Sequence, residues 1–87
     1  MSERSPVAEQ TKQYAVVIEQ AYDEQGRPSN FSGYVLDVRG VFATGPTPEV
    51  VERRLREGIA IMFEELRSEG LPIPVPTTRV AMVAVDS

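Results

Sequence analysis

The chain contains no cysteine and no histidine. The first absence excludes disulfides, thiolate metal sites and cysteine nucleophiles. The second removes the usual general base near neutral pH, the Ser-His pairing and the commonest metal ligand. Neither an enzyme nor a metal or other cofactor is expected. Basic residues are also short, with 9 Lys and Arg against 13 Asp and Glu for a net charge of −4, whereas a phosphate backbone normally meets a basic patch or stripe. Direct nucleic-acid contact is therefore not expected. Apolar runs of only a few residues leave nothing to span a membrane, and Met1-Ser2-Glu3-Arg4-Ser5 lacks a hydrophobic signal core. The expected compartment is the cytoplasm.

What remains is ordinary for a globular chain. Its 87 residues, 41% apolar and 25% charged, suffice for one compact domain but not for an enzyme with a separate cofactor module. A chain of this length hides only about 60–65% of the surface its unfolded form exposes, so a partner subunit would add stability. Residues 1–12 have no apolar period and predict a disordered tail, leaving a single domain over residues 13–87. Tyr14-Ala15-Val16-Val17-Ile18-Glu19 is rich in β-branched residues and apolar on both alternating sets, which predicts a central strand covered on both faces. Asp23–Ser32, with Gly26, Pro28 and Asn30, predicts a long turn. Gly33-Tyr34-Val35-Leu36-Asp37-Val38 alternates, with Tyr34, Leu36 and Val38 on one side and Val35 and Asp37 on the other. Gly40 permits a tight connection into Val41-Phe42-Ala43-Thr44, completing a three-stranded meander.

Gly45-Pro46-Thr47-Pro48-Glu49 predicts a helix start, with Thr47 as N-cap, Pro48 at the first helical position and Glu49 complementing the dipole. The helix should run to about Ser68 or Glu69, where Gly70 stops it and Pro72 forbids continuation. Val51, Leu55, Ile59, Met62 and Leu66 form one stripe that faces the sheet, Phe63 lies on one flank, and Val50 and Ile61 lie on the other. Glu49/Arg53 and Glu52/Arg56 sit four residues apart on the wet side, each pair contributing roughly 0.2–0.5 kcal/mol. Pro72-Ile73-Pro74-Val75-Pro76 is an extended spacer, and Val80-Ala81-Met82-Val83-Ala84-Val85 predicts a fourth strand beside the first. The expected fold class is α/β in the broad sense (α+β): β-β-β-α-β, a four-stranded mixed sheet with one long helix on one face.

One helix covers one face, yet the first and last strands offer apolar side chains to both. Leaving several Val and Met side chains wet forgoes roughly 1.5–3 kcal/mol each, and a large exposed apolar patch marks an interface. A homodimer or tetramer is expected, with Val50, Ile61, Val83 and Val85 at its interface. The alternative cover is the Asp23–Ser32 turn together with the amino-terminal tail.

Carboxylates are plentiful, but six glutamates lie on the helix among Arg53, Arg54, Arg56 and Arg67, the pattern of a solvated face. Glu19 and Asp37, on two strands, are a weak metal signal. No residue is assigned to catalysis or to a metal. The Gly45-Pro46-Thr47 turn lacks the lysine and glycine pattern of a phosphate loop, and capping accounts for it. Tyr34 and Phe42 have the look of a base-stacking platform but lack a basic stripe, which favours packing in a core or interface. The proline-aliphatic stretch has the composition of a ligand for an aromatic groove, and a spacer role accounts for it more simply.

Taken in order, several segments resemble the HicB-like antitoxin family of toxin–antitoxin systems: Tyr14-Ala15-Val16-Val17-Ile18-Glu19, Gly33-Tyr34-Val35-Leu36-Asp37-Val38-Arg39-Gly40, Ala43-Thr44-Gly45-Pro46-Thr47-Pro48-Glu49, and the run from Glu64 through Gly70 to Pro76. The resemblance covers about Tyr14 to Val85. It departs from the family at Leu36-Asp37-Val38-Arg39-Gly40, where the usual turn reads Pro-Asp-Leu-Pro-Gly and only Asp37 and Gly40 correspond, and its first turn is longer than usual. The resemblance implies a reduced ribonuclease-H-like fold without that enzyme's catalytic acids, as the amino-terminal domain only, without the DNA-binding extension that many members append. It also implies a partner, a small basic HicA-like ribonuclease toxin, and complementary charge would speed that encounter. The expected function is that of a non-catalytic, antitoxin-like protein that neutralises such a toxin by protein–protein contact through Tyr34, Asp37, Arg39 and Phe42. The alternative is a solitary HicB-like oligomeric scaffold or small-ligand-binding regulator with no toxin partner.

Overall fold

Strand structure starts at the β-branched run Val16-Val17-Ile18. The structure, a computed structural model, describes residues 12–87, so the expected tail lies outside the described residues except for Lys12. Three strands, β1 (Val16–Tyr22), β2 (Pro28–Val35) and β3 (Phe42–Gly45), precede a long helix, α1 (Pro48–Ser68). The strands pair antiparallel in the order β1-β2-β3, with α1 packed on one face. The described chain is thus α+β. No helix among the described residues is long and apolar enough to cross a membrane.

The sheet differs from the expected one in composition and order. Val80–Val85 forms no strand, so among the described residues the sheet has three strands rather than four and is antiparallel rather than mixed. β2 is therefore central, and β1 sits at an edge. The physical reason is that β-branched composition favours extended backbone but supplies no partner, and the chain after Pro76 is tied down elsewhere, as described below. The first turn is also shorter than expected. The Asp23 carboxylate accepts from the backbone N–H groups of Gln25 and Arg27 at 2.9 and 2.8 Å, and the Asp23 N–H donates to the Arg27 carbonyl at 2.8 Å. Gly26 takes the positive φ (78°) that closes this loop. Pro28 can then open β2, a position where a strand tolerates proline, and Pro28–Ser32 pairs with β1 through Tyr22↔Pro28, Gln20↔Phe31 and Glu19↔Ser32. This segment extends the sheet instead of folding across its open face.

β2 stops at Val35, and the chain bends through Leu36–Val38. The bend turns Val38 into the core with Val35 and Val41, correcting its expected place on the side of Tyr34. Gly40, at φ 82°, completes the connection. Helix α1 has the expected ends. The Thr47 hydroxyl accepts from the Val50 N–H at 3.2 Å, and Pro48 occupies the first turn. At the other end Gly70 adopts φ 72°, its N–H donates to the Arg67 carbonyl, and the Leu71 N–H reaches back to the Leu66 carbonyl at 2.8 Å. Of the two expected helix pairs, Glu52–Arg56 forms at 3.1 Å, whereas Glu49–Arg53 is not among the ion pairs of the described residues.

Val51 and Leu55 are fully buried and join Val35, Val38 and Val41 as the core, with Ile59, Met62 and Phe63 packed half-buried against it. Each full burial contributes roughly 1.5–3 kcal/mol. The helix lies directly on the backbone of β2. A Cβ on Gly33 would stand 2.7 Å from the Val17 carbonyl oxygen and 2.9 Å from Val51 Cγ1, so no side chain fits there.

Candidate functional site

Because Gly33 faces Val51 and Leu55 of α1, side-chain alternation turns its neighbours Ser32 and Tyr34 to the opposite, open face. The register pairs Val17 with Tyr34 and Tyr34 with Phe42, so these three form one row across all three strands. The Val35 N–H donates to the Val41 carbonyl, which leaves Tyr34↔Phe42 as a non-hydrogen-bonded pair with the closer side-chain spacing. Such an aromatic cross-strand pair contributes roughly 0.2–1 kcal/mol. With α1 on the other side, Phe42 stays 76% exposed and Tyr34 44% exposed. The next row, Glu19, Ser32 and Thr44, is polar. The open face thus has an apolar end near the Leu36–Val41 turn and a polar end beyond it.

Tyr34, Leu36, Arg39, Gly40 and Phe42 line a shallow concavity of about 670 Å³ at the apolar end. Three of the four expected partner-binding residues therefore gather there: Tyr34, Arg39 and Phe42. The fourth, Asp37, turns to its own chain. Its carboxylate accepts from the backbone N–H groups of Thr77 and Thr78 at 3.0 and 2.8 Å and from their hydroxyls at 3.2 and 2.9 Å. The Thr78 N–H, helped by the other three donors, holds its pKa below the ordinary 3.8 against an opposing desolvation. Tyr14 adds a second hold on this segment, because its hydroxyl donates to the Pro74 carbonyl and its ring packs edge-on against Phe63 at 5.5 Å. Burial, followed by the nearby Asp37 charge, raises its pKa above the usual phenol value.

The expected interface residues do not form one patch within the chain. Val50 is half-buried, with its Cγ1 in the space a Cβ on Gly45 would need. Ile61, eleven positions later and so ~16 Å along the helix, is 63% exposed. Val83 and Val85 are each 79% exposed in the carboxy-terminal segment. Glu19 and Asp37 are also kept apart. Leu36 bonds opposite Ala15, which places Glu19 five positions and ~16 Å along β1 from the level of Asp37. Among the described residues no group of three or more Asp, Glu, His or Cys is placed to hold a metal.

No family model, curated protein or solved structure matches the chain. Sequence reasoning put Leu36 on the side of Tyr34 but named neither it nor Val17 as a site residue, and Val17 joins the row only through the β1–β2 register, which alternation within one strand does not reveal. It also missed the Tyr14, Thr77 and Thr78 contacts, for which Thr77-Thr78 directly after a proline run offers only a faint one.

Proposed function

We propose that the chain is a non-catalytic binding protein of the antitoxin type, whose open sheet face covers a small basic ribonuclease toxin by protein–protein contact. The observation that carries this reading is the row Val17–Tyr34–Phe42 on the open face, in which Val17 is half-buried and Tyr34 and Phe42 are exposed. Aromatic anchors of this kind concentrate interface energy, and a chain of net charge −4 suits a basic partner, with Arg39 tuning register at the rim. The sequence resemblance supplies the class of that partner. The test is binding to a basic ribonuclease of about the size of one small domain, encoded beside this chain, together with rescue of growth on co-expression. Phe42→Asp should weaken binding by at least about 30-fold, or 2 kcal/mol, and abolish rescue. The far-ultraviolet circular dichroism should stay unchanged, because Phe42 lies outside the core. Undiminished binding by that variant would overturn the assignment of the face.

A second reading, a solitary oligomeric scaffold, is favoured by the exposure of Ile61, Val83 and Val85. It predicts self-association with no basic ribonuclease encoded nearby.

A further inference from the structure

A groove of about 1010 Å³ runs between the start of β1, the helix α1 and the carboxy-terminal segment. That volume is at the upper end for small-ligand sites, which are mostly apolar with a few placed polar groups. The floor has this character. Tyr14, Val16, Ile59 and Phe63 pack against the core yet stay half-buried, and half-buried Ile73 adds the side that the carboxy-terminal segment forms. The rim is basic. Lys12, Arg56, Arg67 and Arg79 line it against Glu52 alone, so four of the chain's 9 Lys and Arg gather where only one of its 13 Asp and Glu does. An acidic chain thus reverses its sign at this one groove, which an ordinary solvated face of interleaved charges does not do.

These cations are weakly engaged. Arg56 meets Glu52 at 3.1 Å and Arg67 meets Glu64 at 3.9 Å, both as exposed pairs, and such pairs give way to a better partner at little cost. Arg79 has no ion pair among the described residues. Its neighbour Thr78 is nonetheless fixed, because the Asp37 carboxylate accepts four hydrogen bonds from Thr77 and Thr78. Those bonds occupy the carboxylate's lone pairs, so Asp37 sets Arg79 at the rim without neutralising it. We propose that this groove binds a small amphipathic carboxylate, its head on Arg79 and its apolar body along Ile59 and Phe63. An inorganic anion would leave the floor wet, and an uncharged apolar ligand would leave the rim unused. The guanidinium fork matches a carboxylate through two parallel hydrogen bonds. All three walls come from one chain, so the site is complete without a second copy. It is also independent of the toxin reading, since Tyr34 and Phe42 stand on the other face of the sheet.

The test is a nuclear magnetic resonance titration of the full chain with 6-phenylhexanoate. Shifts should saturate as one site per chain with a dissociation constant of about 1 mM or tighter, and should be largest at the methyl groups of Val16 and Ile59 and at the amide of Arg79. The uncharged 6-phenylhexanol should bind more weakly. So should 6-phenylhexylammonium, which a chain of net charge −4 would otherwise prefer. Arg79→Gln, at an exposed position, should raise the dissociation constant roughly fivefold or more with the fold intact. Phe42→Asp should leave it unchanged, which separates loss of this site from loss of the open face. The absence of a saturable shift, shifts centred on Tyr34 and Phe42, equal affinity for the alcohol, tighter binding of the ammonium or indifference to Arg79→Gln would overturn the proposal. So would nuclear Overhauser effects that seat residues 1–11 in the groove, or groove shifts that move with protein concentration before any ligand is added, the mark of a second copy there.

Discussion

Gly33 shows how one missing side chain positions everything above it. With the Val17 carbonyl oxygen 2.7 Å and Val51 Cγ1 2.9 Å from where a Cβ would sit, Gly33→Ala must push the helix off the sheet or bend β1. A loss of roughly 1–3 kcal/mol is expected, read from urea unfolding. The sequence marks Gly33 only as the start of a strand, because the approach of α1 is a long-range fact. Asp37 is a similar case, since its donors lie 40 and 41 residues away. Its folded pKa is below its unfolded one, so the grip on Thr77 and Thr78 is complete above the ordinary 3.8 and fades as pH falls through the lower folded value. Amide exchange at Thr77 and Thr78, corrected for its intrinsic pH dependence, should stay protected at pH 6 and lose protection only in acid. Asp37→Ala should show the unprotected rates already at pH 6. Equal protection in both proteins would show that the carboxylate does not hold this segment.

Helix α1 was legible almost to the residue, because its ends are written in local code. The Thr47 hydroxyl needs only a donor three residues on, and Gly70 only its own φ. Thr47→Ala should cost about 1 kcal/mol and lower Tm by about 4–8 °C, measured by thermal circular dichroism. The strands were less legible, for the opposite reason. Pro28-Ser29-Asn30 has the composition of a turn, yet it joins β2 because ladder bonds come from backbone groups and a tight Asp23–Arg27 loop delivers them in register. Val80–Val85 has the composition of a strand, yet it stands alone, because strand propensity is local and strand pairing is not.

Taken whole, the molecule rests on a small buried cluster of Val35, Val38, Val41, Val51 and Leu55. Leu55→Ala removes the largest of these side chains at a cost of about 2–5 kcal/mol, a large share of a domain stability of about 5–15 kcal/mol. Urea unfolding followed by circular dichroism should show that loss as a lowered midpoint. The open face was only partly legible: Tyr34 and Phe42 were readable as a pair, but α1's choice of the other face was needed to leave them wet.

Tyr14 joins three separate stretches of the polypeptide: it leads into β1, packs edge-on against Phe63 of α1 and donates a hydrogen bond to the Pro74 carbonyl in the carboxy-terminal segment. The chain has no tryptophan and only three tyrosines, so the near-ultraviolet spectrum is not swamped by indole. Detaching the carboxy-terminal segment returns this phenol to water and changes its absorbance, and subtracting the spectrum of Tyr14→Phe isolates that change. The protein thus carries an optical gauge of whether its carboxy-terminal segment is seated, readable without any attached dye.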